Sequence, residues 1–397
     1  MKNPADEIVI LSAVRTPIGK FGGSLLPFSA ADLGGVAARE AIRRAGINPA
    51  DIHETIFGHA RQAGGGPNTA RQVARKAAVP DSATAFTVNM ACASGMKSIA
   101  LAAQALWRND AAFALAGGTE SMSNTPYLLT TARWGSKLGH AEVVDAMYKD
   151  GFHCPLAEEL MGATAETLAD QYKISRHAQD EYAVLSQQRA GAAVAAGRFR
   201  DEIIPIEIKN KKGAVQFASD EHVRTDVTLE GMAKLPPVFR ANGSVHAGNS
   251  SGITDGAAAL VLTTASTAKQ RGLKPLVRLV EYTVAGVDPK IMGIGPVPAV
   301  RKLLEKTGLA LPEIDLIELN EAFAAQVIAC ERDLQLDRAR MNVNGGAIAL
   351  GHPIGVTGAR ISVTLLHEMK KRGARFGLAT LCVSGGMGMA VLYENLT

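Results

Sequence analysis

The two ends of the chain repeat one order of elements, and this repeat limits the fold more than any other feature of the sequence. Residues 30–57 read as a helix, a connecting turn and a strand, and residues 298–319 read the same way. In each copy a glycine, Gly46 or Gly308, follows the helix, which is typical of the residue just past a helix C-terminus. We infer two halves that share one topology.

The parallel extends beyond this first unit. A short strand at 84–88 leads into a turn that contains a cysteine, and its counterpart at 341–344 leads into a glycine-rich loop. Apolar strands follow at 112–116 and at 377–383, and each is expected to end in a pair of glycines. Strands that alternate with helices in this way predict an α/β fold.

Residues 121–250 do not fit the repeat and contain two helical stretches of their own. We interpret them as an inserted loop domain that binds a ligand. The first half then covers 1–120 and is completed by about 251–271, and the second half covers 272–397. A chain of 397 residues is long enough for two similar cores and such an insertion.

The charge and hydropathy of the chain exclude two classes of partner. The formal net charge is only +4 and no long run of Lys or Arg occurs, so we expect no nucleic-acid partner. No stretch of about 18 consecutive apolar residues occurs, so we expect no membrane insertion.

The cysteines indicate free thiols. There are four of them: Cys92, Cys154, Cys330 and Cys382. They form no C-x-x-C pair and have no zinc-ligand spacing, so we expect no metal site. Cys330 shares a helix face with apolar residues and is predicted to be core. Free thiols are typical of a reducing compartment, and the first seven residues show neither a signal-peptide core nor an Arg-rich pattern, so we predict a cytoplasmic protein.

Cys92 is the strongest candidate nucleophile. It follows a strand and precedes an apolar helix, where Ser94 and Gly95 permit a tight turn. A thiol at a helix N-terminus meets backbone N–H groups and the positive end of the helix dipole, and both favour the thiolate. The alternative is a small buried side chain, which is the commonest fate of a free cysteine.

Three further positions are candidates on pattern alone. Cys382 ends an apolar strand and opens a glycine-rich turn, although it could equally be packed beneath that turn. His352 lies in an apolar, glycine-rich loop, where either a catalytic group or a hydrogen-bonded core histidine would fit. Asn320 follows a strand and could position a ligand, or it could simply cap the next helix with Glu321 in the first turn.

These motifs together resemble the thiolase family over essentially the whole chain. Four stretches carry the resemblance in the family's order: Asn89-Met90-Ala91-Cys92-Ala93-Ser94-Gly95, Asn320-Glu321-Ala322-Phe323-Ala324, Asn342 to Gly355 with His352, and Cys382 to Gly388. The resemblance implies two packed βαβαβαββ halves in five layers, α-β-α-β-α, with an inserted loop domain. It also implies a homotetramer or homodimer that binds acyl-CoA and CoA as substrates and uses no cofactor.

The activity implied by the resemblance is reversible Claisen condensation, in which two acetyl-CoA molecules give acetoacetyl-CoA and CoA. Cys92 is then the nucleophile that becomes S-acylated, and His352 helps to deprotonate it. Cys382 is the base in condensation and the acid in thiolysis. Asn320 holds a water that, with His352, stabilises the enolate oxygen. The backbone N–H groups of Cys92 and Ser384 form the oxyanion hole.

The resemblance also assigns residues to the substrate pockets. Contacts with CoA are implied for Ser251, Arg224, Met161, Ala247, Phe239 and Phe323. Met292 and Phe323 are expected to line the acyl pocket together with the insertion.

Two positions depart from the family pattern. The family's glycine triplet after the second cysteine is Ser384-Gly385-Gly386 here, which adds a side chain beside the expected oxyanion hole. Leu160 stands where short-chain acetoacetyl-CoA thiolases often carry a histidine, and this argues against strict acetoacetyl-CoA specificity. The alternative is therefore a broader 3-ketoacyl-CoA thiolase of fatty-acid β-oxidation.

Two rival classes share the implied fold. A decarboxylating ketoacyl synthase has the same nucleophile but needs no second cysteine, because decarboxylation generates its carbanion. A non-catalytic acyl-CoA-binding relative would have lost Cys92, His352 or Cys382, and all three are present. We therefore predict a catalytically competent thiolase that acts on short-chain substrates.

Overall fold

The computed structural model describes residues 7–210 and 213–397, so the prediction about the first residues of the chain lies largely outside the described part. The described residues form sixteen strands: β1 (Ile8–Arg15), β2 (Gly19–Lys20), β3 (Glu54–Gly58), β4 (Thr84–Val88), β5 (Phe113–Ser121), β6 (Tyr127–Leu128), β7 (Val144–Asp145), β8 (His153–Cys154), β9 (Glu159–Leu160), β10 (Ile206–Asn210), β11 (Gly213–Phe217), β12 (Thr254–Thr264), β13 (Val277–Gly286), β14 (Leu316–Leu319), β15 (Phe376–Val383) and β16 (Met387–Asn395). They also form eleven α-helices: α1 (Ala30–Arg44), α2 (Thr69–Lys76), α3 (Ser94–Trp107), α4 (Met161–Gln171), α5 (Arg176–Ala195), α6 (Leu229–Ala233), α7 (Ala265–Gln270), α8 (Pro296–Thr307), α9 (Ala324–Leu334), α10 (Ala347–Leu350) and α11 (Ile354–Arg372).

A mixed sheet of ten strands runs through the molecule. Nine strands follow the order β14-β15-β16-β13-β1-β12-β5-β3-β4, and β2 pairs with one end of β12. The two halves meet where β1 and β13 pair antiparallel from Ile8–Leu279 to Ile10–Val277. The repeat in the sequence therefore becomes two half-sheets joined along one short seam.

The helices and half-sheets stack in five layers. Helices α1 and α2 cover the outer face of the N-terminal half-sheet, and α8, with α9 beside it, covers the outer face of the C-terminal half-sheet. Helices α3 and α11 pack against each other between the two half-sheets. The predicted α-β-α-β-α architecture is confirmed.

Glycines allow α3 and β5 to pack against α11 at backbone distance. A Cβ at Gly95 of α3 would lie 2.8 Å from the backbone nitrogen of Ala359 in α11. A Cβ at Gly118 of β5 would lie 2.2 Å from the carbonyl oxygen of Gly355 in α11. No side chain fits at such distances. The loops that precede α3 and α11 are therefore held at one point between the halves.

Some details of the predicted repeat hold and others are wrong. Gly46 and Gly308 follow α1 and α8 with φ of +71° and +72°, which confirms both helix ends. The predicted counterpart of β4 at 341–344 forms no strand, because Ile317 and Met341 make only an isolated parallel bridge.

The two glycine pairs also differ. β5 does not end at Gly117-Gly118 but continues to Ser121, since Gly117 serves close packing: a Cβ there would lie 2.1 Å from the oxygen of Ala258 in β12. Gly385 and Gly386, with φ of +87° and +84°, do turn the chain from β15 into β16.

None of the described helices is both long and apolar enough to cross a membrane.

Candidate active site

A cavity of about 360 Å³ lies where residues from both halves and from 121–250 meet. Cys92, His352, Cys382 and Ser384 line it together, although they come from separate stretches of the chain. Cys92 precedes α3, His352 precedes α11, and Cys382 lies near the end of β15. The close packing of α3 against α11 explains why the first two meet.

A strained turn presents Cys92. Ala91 has φ of +45°, a left-handed conformation that is costly for a residue with a Cβ. Two side chains hold it: Asn89 Oδ1 accepts from the Ala91 N–H at 3.0 Å, and Ser94 Oγ donates to the Ala91 carbonyl at 2.7 Å. Ser94 Oγ also accepts from the Met90 N–H at 2.9 Å. The sulfur of Cys92 is thereby aimed at the cavity, with 9% of the residue exposed.

His352 is oriented as a base toward Cys92. Its Nε2 lies 3.3 Å from Cys92 Sγ, and its Nδ1 lies 2.6 Å from Thr357 Oγ1. The Thr357 hydroxyl donates to the Pro353 carbonyl at 3.0 Å, so it accepts from Nδ1–H. Nε2 is then the unprotonated nitrogen and can accept the thiol proton.

Burial keeps the Cys92–His352 pair neutral in the free protein. It raises the pKa of Cys92, an effect opposed by the Ser384 N–H and the Arg61 charge. Burial, together with the charges of Arg360 and Arg61, lowers the pKa of His352 to about 3. Both shifts favour the neutral thiol and the neutral imidazole in the free protein.

Cys382 lies in a different environment. It is fully buried and packs with Met292 and Ala322. Burial, and next the charge of Cys92 when ionised, raises its pKa well above the usual range. Ser384 follows directly after the end of β15, and its backbone N–H lies close enough to the Cys92 sulfur to lower the pKa of that thiol. A thiolate formed at Cys382 would be a strong base in an apolar wall.

Asn320 is not a helix cap, which corrects one of the two interpretations of the sequence. Helix α9 begins only at Ala324, so neither Asn320 nor Glu321 lies in its first turn. Asn320 is 1% exposed, and neither its Oδ1 nor its Nδ2 has a hydrogen-bond partner among the described residues. It is not in the cavity wall, but Ala322, two residues later, is.

The residues assigned to substrate binding share this cavity. Its wall includes all six of them: Ser251, Arg224, Met161, Ala247, Phe239 and Phe323. Met292 and Leu160 also line it, and Phe239 meets Phe323 edge-on at 6.3 Å between ring centroids. Tyr148, Phe152 and Leu160 show that the insertion contributes a wall of its own.

Three contributors were missed by the sequence analysis. Thr357 orients His352 as described above. Arg61 lines the cavity beside Cys92. Glu120 is fully buried, lies 3.3 Å from His59 Nε2, and accepts backbone N–H bonds from Ala60, Arg61 and Gly355. A polar run directly after an apolar strand, here after β3, is the signal that could have found Arg61.

The remaining cysteines lie away from the cavity wall. Cys330 is fully buried in α9, and its Sγ contacts the Gly293 carbonyl at 3.3 Å, which confirms it as core. Cys154 is 2% exposed in β8. Across residues 7–210 and 213–397, no group of three or more His, Cys, Asp or Glu is arranged to hold a metal ion.

Comparison with known proteins defines the family. The thiolase N-terminal domain matches residues 8–266, and the thiolase C-terminal domain matches residues 273–395. An acetyl-CoA acetyltransferase of Syntrophomonas wolfei is 50% identical over 394 residues, which span 98% of this chain and 99% of that protein. The chain belongs to the thiolase family.

Solved structures agree. The crystal structure of the Bacillus anthracis acetyl-CoA acetyltransferase superposes with a TM-score of 0.96 at 48% identity, over 98% of this chain and 99% of that one. The human mitochondrial 3-ketoacyl-CoA thiolase in complex with CoA superposes with a TM-score of 0.95 at 42% identity, over 99% of both chains.

Proposed function

We propose that this thiolase has acetyl-CoA acetyltransferase activity, in which two acetyl-CoA molecules and acetoacetyl-CoA plus CoA interconvert through an S-acyl Cys92. One observation carries the proposal: a single cavity holds a thiol paired with a neutral imidazole, and a second thiol set in an apolar wall. Its similarity to acetyl-CoA acetyltransferases supports the substrate.

In the first half-reaction Cys92 attacks the thioester carbonyl as His352 Nε2 takes its proton. The 3.3 Å separation of Nε2 and Sγ suits this transfer, and Thr357 keeps the accepting nitrogen turned toward the sulfur. The backbone N–H groups of Cys92 and Ser384 stabilise the oxyanion, since both face the sulfur. The side chain of Ser384 leaves this backbone donor in place.

The CoA thiolate that leaves takes the proton of Cys382 and departs as free CoA, which leaves Cys382 as the thiolate. In the second half-reaction this thiolate removes a proton from the methyl group of a second acetyl-CoA. The carbanion attacks the acyl carbon on Cys92, a new carbon–carbon bond forms, and the thiol of Cys92 is released. In thiolysis Cys382 protonates the departing acetyl-CoA enolate. Protonated His352 donates to the enolate oxygen, as does a water held by the amide of Asn320, which has no hydrogen-bond partner among the described residues.

CoA occupies the part of the cavity bounded by Ser251, Arg224, Met161, Ala247, Phe239 and Phe323. Arg224 supplies a positive charge suited to the nucleotide phosphates, and Ser251 a hydroxyl suited to the pantetheine arm. Leu160 supplies only an apolar contact to that arm. The reaction takes CoA thioesters as substrates and needs no cofactor, because the two thiols and the imidazole carry every proton transfer.

The active assembly is a homotetramer or homodimer in the cytoplasm. Two exposed apolar features suit contacts between subunits: Phe86, 39% exposed on edge strand β4, and the segment with Trp134 and Leu138, 85% and 97% exposed. The four free thiols suit a reducing compartment. Light scattering at micromolar concentration measures the assembly, and a monomer would contradict it.

The test is CoA-dependent thiolysis of acetoacetyl-CoA, 3-ketohexanoyl-CoA and 3-ketooctanoyl-CoA, with Cys92→Ala as the blank. We expect the highest kcat/KM on acetoacetyl-CoA. A higher value on the longer substrates would identify the broader degradative thiolase that Leu160 allows. No activity above the blank on any of the three would refute the proposed function.

A further inference from the structure

Arg61 is a buried cation that forms no ion pair with any described carboxylate, although its charge contributes to lowering the pKa of Glu120. It is 7% exposed and lines the catalytic cavity. Its Nη1 donates to the Asp150 carbonyl at 3.1 Å, while its Nε has no hydrogen-bond partner in the described part of the chain. The guanidinium stands 6.0 Å from the Phe152 ring centroid. One carbonyl and one ring satisfy only a fraction of its five donors.

No carboxylate among residues 7–210 and 213–397 lies within ion-pair distance of this guanidinium. The nearby Glu120 is already engaged by His59 and by three backbone N–H groups. The side chain of Asp150 is exposed, so only its carbonyl reaches Arg61. A buried and unpaired charge is expensive, and a protein that keeps one in a cavity usually pairs it with a ligand.

The place of Arg61 in the cavity indicates which part of a substrate it meets. Glu120 accepts from the N–H of Arg61 at 3.0 Å and from that of Gly355, three residues after His352, at 2.7 Å. Asn89, three residues before Cys92, donates to the Ala60 carbonyl at 3.2 Å, and Arg61 and Cys92 line the same cavity, so Arg61 lies on the side of the acyl carbon. Arg224 lies elsewhere, where its N–H contacts Gln187 and its charge acts on His222. The cavity wall therefore contains two separate cations, the exposed Arg224 and the buried Arg61.

We propose that Arg61 binds a carboxylate at the far end of the acyl chain, so that, among 3-ketoacyl-CoA thioesters longer than acetoacetyl-CoA, those whose last carbon is a carboxylate are better substrates than their uncharged counterparts. This inference rests on the proposed thiolase function. A guanidinium pairs a carboxylate through two parallel N–H bonds, which satisfies the donors left open here. An uncharged alkyl chain would leave them unpaired.

The chemistry is that of thiolysis and needs no further reactant. Cys92 attacks the 3-keto carbon, the bond between carbons 2 and 3 breaks, and Cys382 protonates the acetyl-CoA enolate that leaves. The remaining acyl group, with its terminal carboxylate on Arg61, passes from Cys92 to the thiol of CoA. The products are acetyl-CoA and a dicarboxylic acid mono-thioester of CoA.

The test compares matched pairs of 3-ketoacyl-CoA substrates with six, seven and eight carbons, with and without a terminal carboxylate. We expect the ratio of kcat/KM, carboxylated over uncharged, to exceed one for the wild type at one or more lengths. Arg61→Leu should lower that ratio about a hundredfold, because an ion pair in a dry site is lost. Arg61→Lys should lower this ratio about tenfold, since lysine keeps the positive charge but cannot form two parallel N–H bonds to a carboxylate.

Arg224→Leu is the matched control. It removes a cation from the same cavity at the CoA end, so it should lower kcat/KM for both members of a pair and leave the ratio unchanged. A ratio below one at all lengths, or one that both Arg61 variants leave unaltered, overturns the inference. Activity on acetoacetyl-CoA with such a ratio would leave the thiolase function standing, and loss of all wild-type activity would refute both.

Discussion

The two cysteines of the cavity lie in two different environments. Cys92 lies in a strained turn before α3, with His352 Nε2 at 3.3 Å and the Ser384 N–H facing its sulfur. Cys382 lies in a regular strand among apolar side chains, where burial raises its pKa further. Cys92 has an imidazole beside it that can take its proton. Cys382 lies among apolar side chains instead, so it can act as a base only after its thiol has ionised.

This difference corresponds to the N-terminal and C-terminal halves of the repeat. The N-terminal half places its cysteine ahead of a central helix, while the C-terminal half places a histidine ahead of its central helix and a cysteine in its strand. The two halves therefore share one topology but carry different polar side chains at corresponding places. The predictions below test that asymmetry.

Replacing Cys92 with Ser should have the largest effect. A hydroxyl is far less acidic than a thiol, so the imidazole of His352 can no longer produce an effective nucleophile. We expect kcat for thiolysis to fall by about 10⁴-fold or more, with no acyl adduct in intact-mass spectra. If the wild type carried its acyl adduct on a residue other than Cys92, the difference proposed between Cys92 and Cys382 would be wrong.

Replacing Cys382 with Ser should abolish most turnover while sparing the first step. We expect a fall of about 10³-fold in both condensation and thiolysis, typical of a lost acid–base group. Acetyl-CoA should still acylate Cys92 slowly, and mass spectrometry should detect that adduct. Near-normal turnover by this variant would exclude a mechanism with two cysteines.

Replacing Thr357 with Val should have a smaller effect. The hydroxyl that accepts from His352 Nδ1 is lost while the volume is kept, so Nε2 is no longer held unprotonated toward Cys92. We expect kcat/KM to fall about tenfold, with Thr357→Ser restoring most of it. Equal losses in Thr357→Val and Thr357→Ser would point to packing instead of tautomer control.

The depressed pKa of His352 should appear in the stability of the fold. Between pH 6.5 and about 3 the unfolded chain protonates this histidine and the folded protein does not, so folding becomes less favourable as pH falls from 6.5. We expect the wild type to lose about 1 kcal/mol more than His352→Asn between pH 7.5 and 5.5 in urea titrations. Parallel losses in both proteins would contradict a neutral His352.

Much of this molecule could be predicted from local sequence. The spacing of apolar residues and capping glycines gave α1, α8 and their following strands within two residues, and Gly46 and Gly308 ended the helices as expected. Helix ends are local because one residue with positive φ decides them. The resemblance of short motifs to a family then supplied the candidate residues.

Local sequence failed where a glycine serves a distant neighbour. Gly117-Gly118 and Gly385-Gly386 look alike in the chain, yet the first pair lies inside β5 and the second makes a turn. At Gly117 the carbonyl of Ala258 in β12 packs too closely for a side chain, whereas Gly385-Gly386 is followed at once by the start of β16. The contact between Gly117 and Ala258 spans well over a hundred residues and leaves no local signal.

By itself the sequence determined the repeat, the class of fold and the candidate catalytic side chains, because each is encoded by residue type and short spacing. Only the tertiary structure decided which nitrogen of His352 faces Cys92, why Asn320 is not a cap, and that Arg61, in the same cavity as Cys92, has an Nε without a hydrogen-bond partner in the described part of the chain. Tautomer, burial and missing counterions depend on atoms brought together from distant parts of the chain, and these properties determine the chemistry.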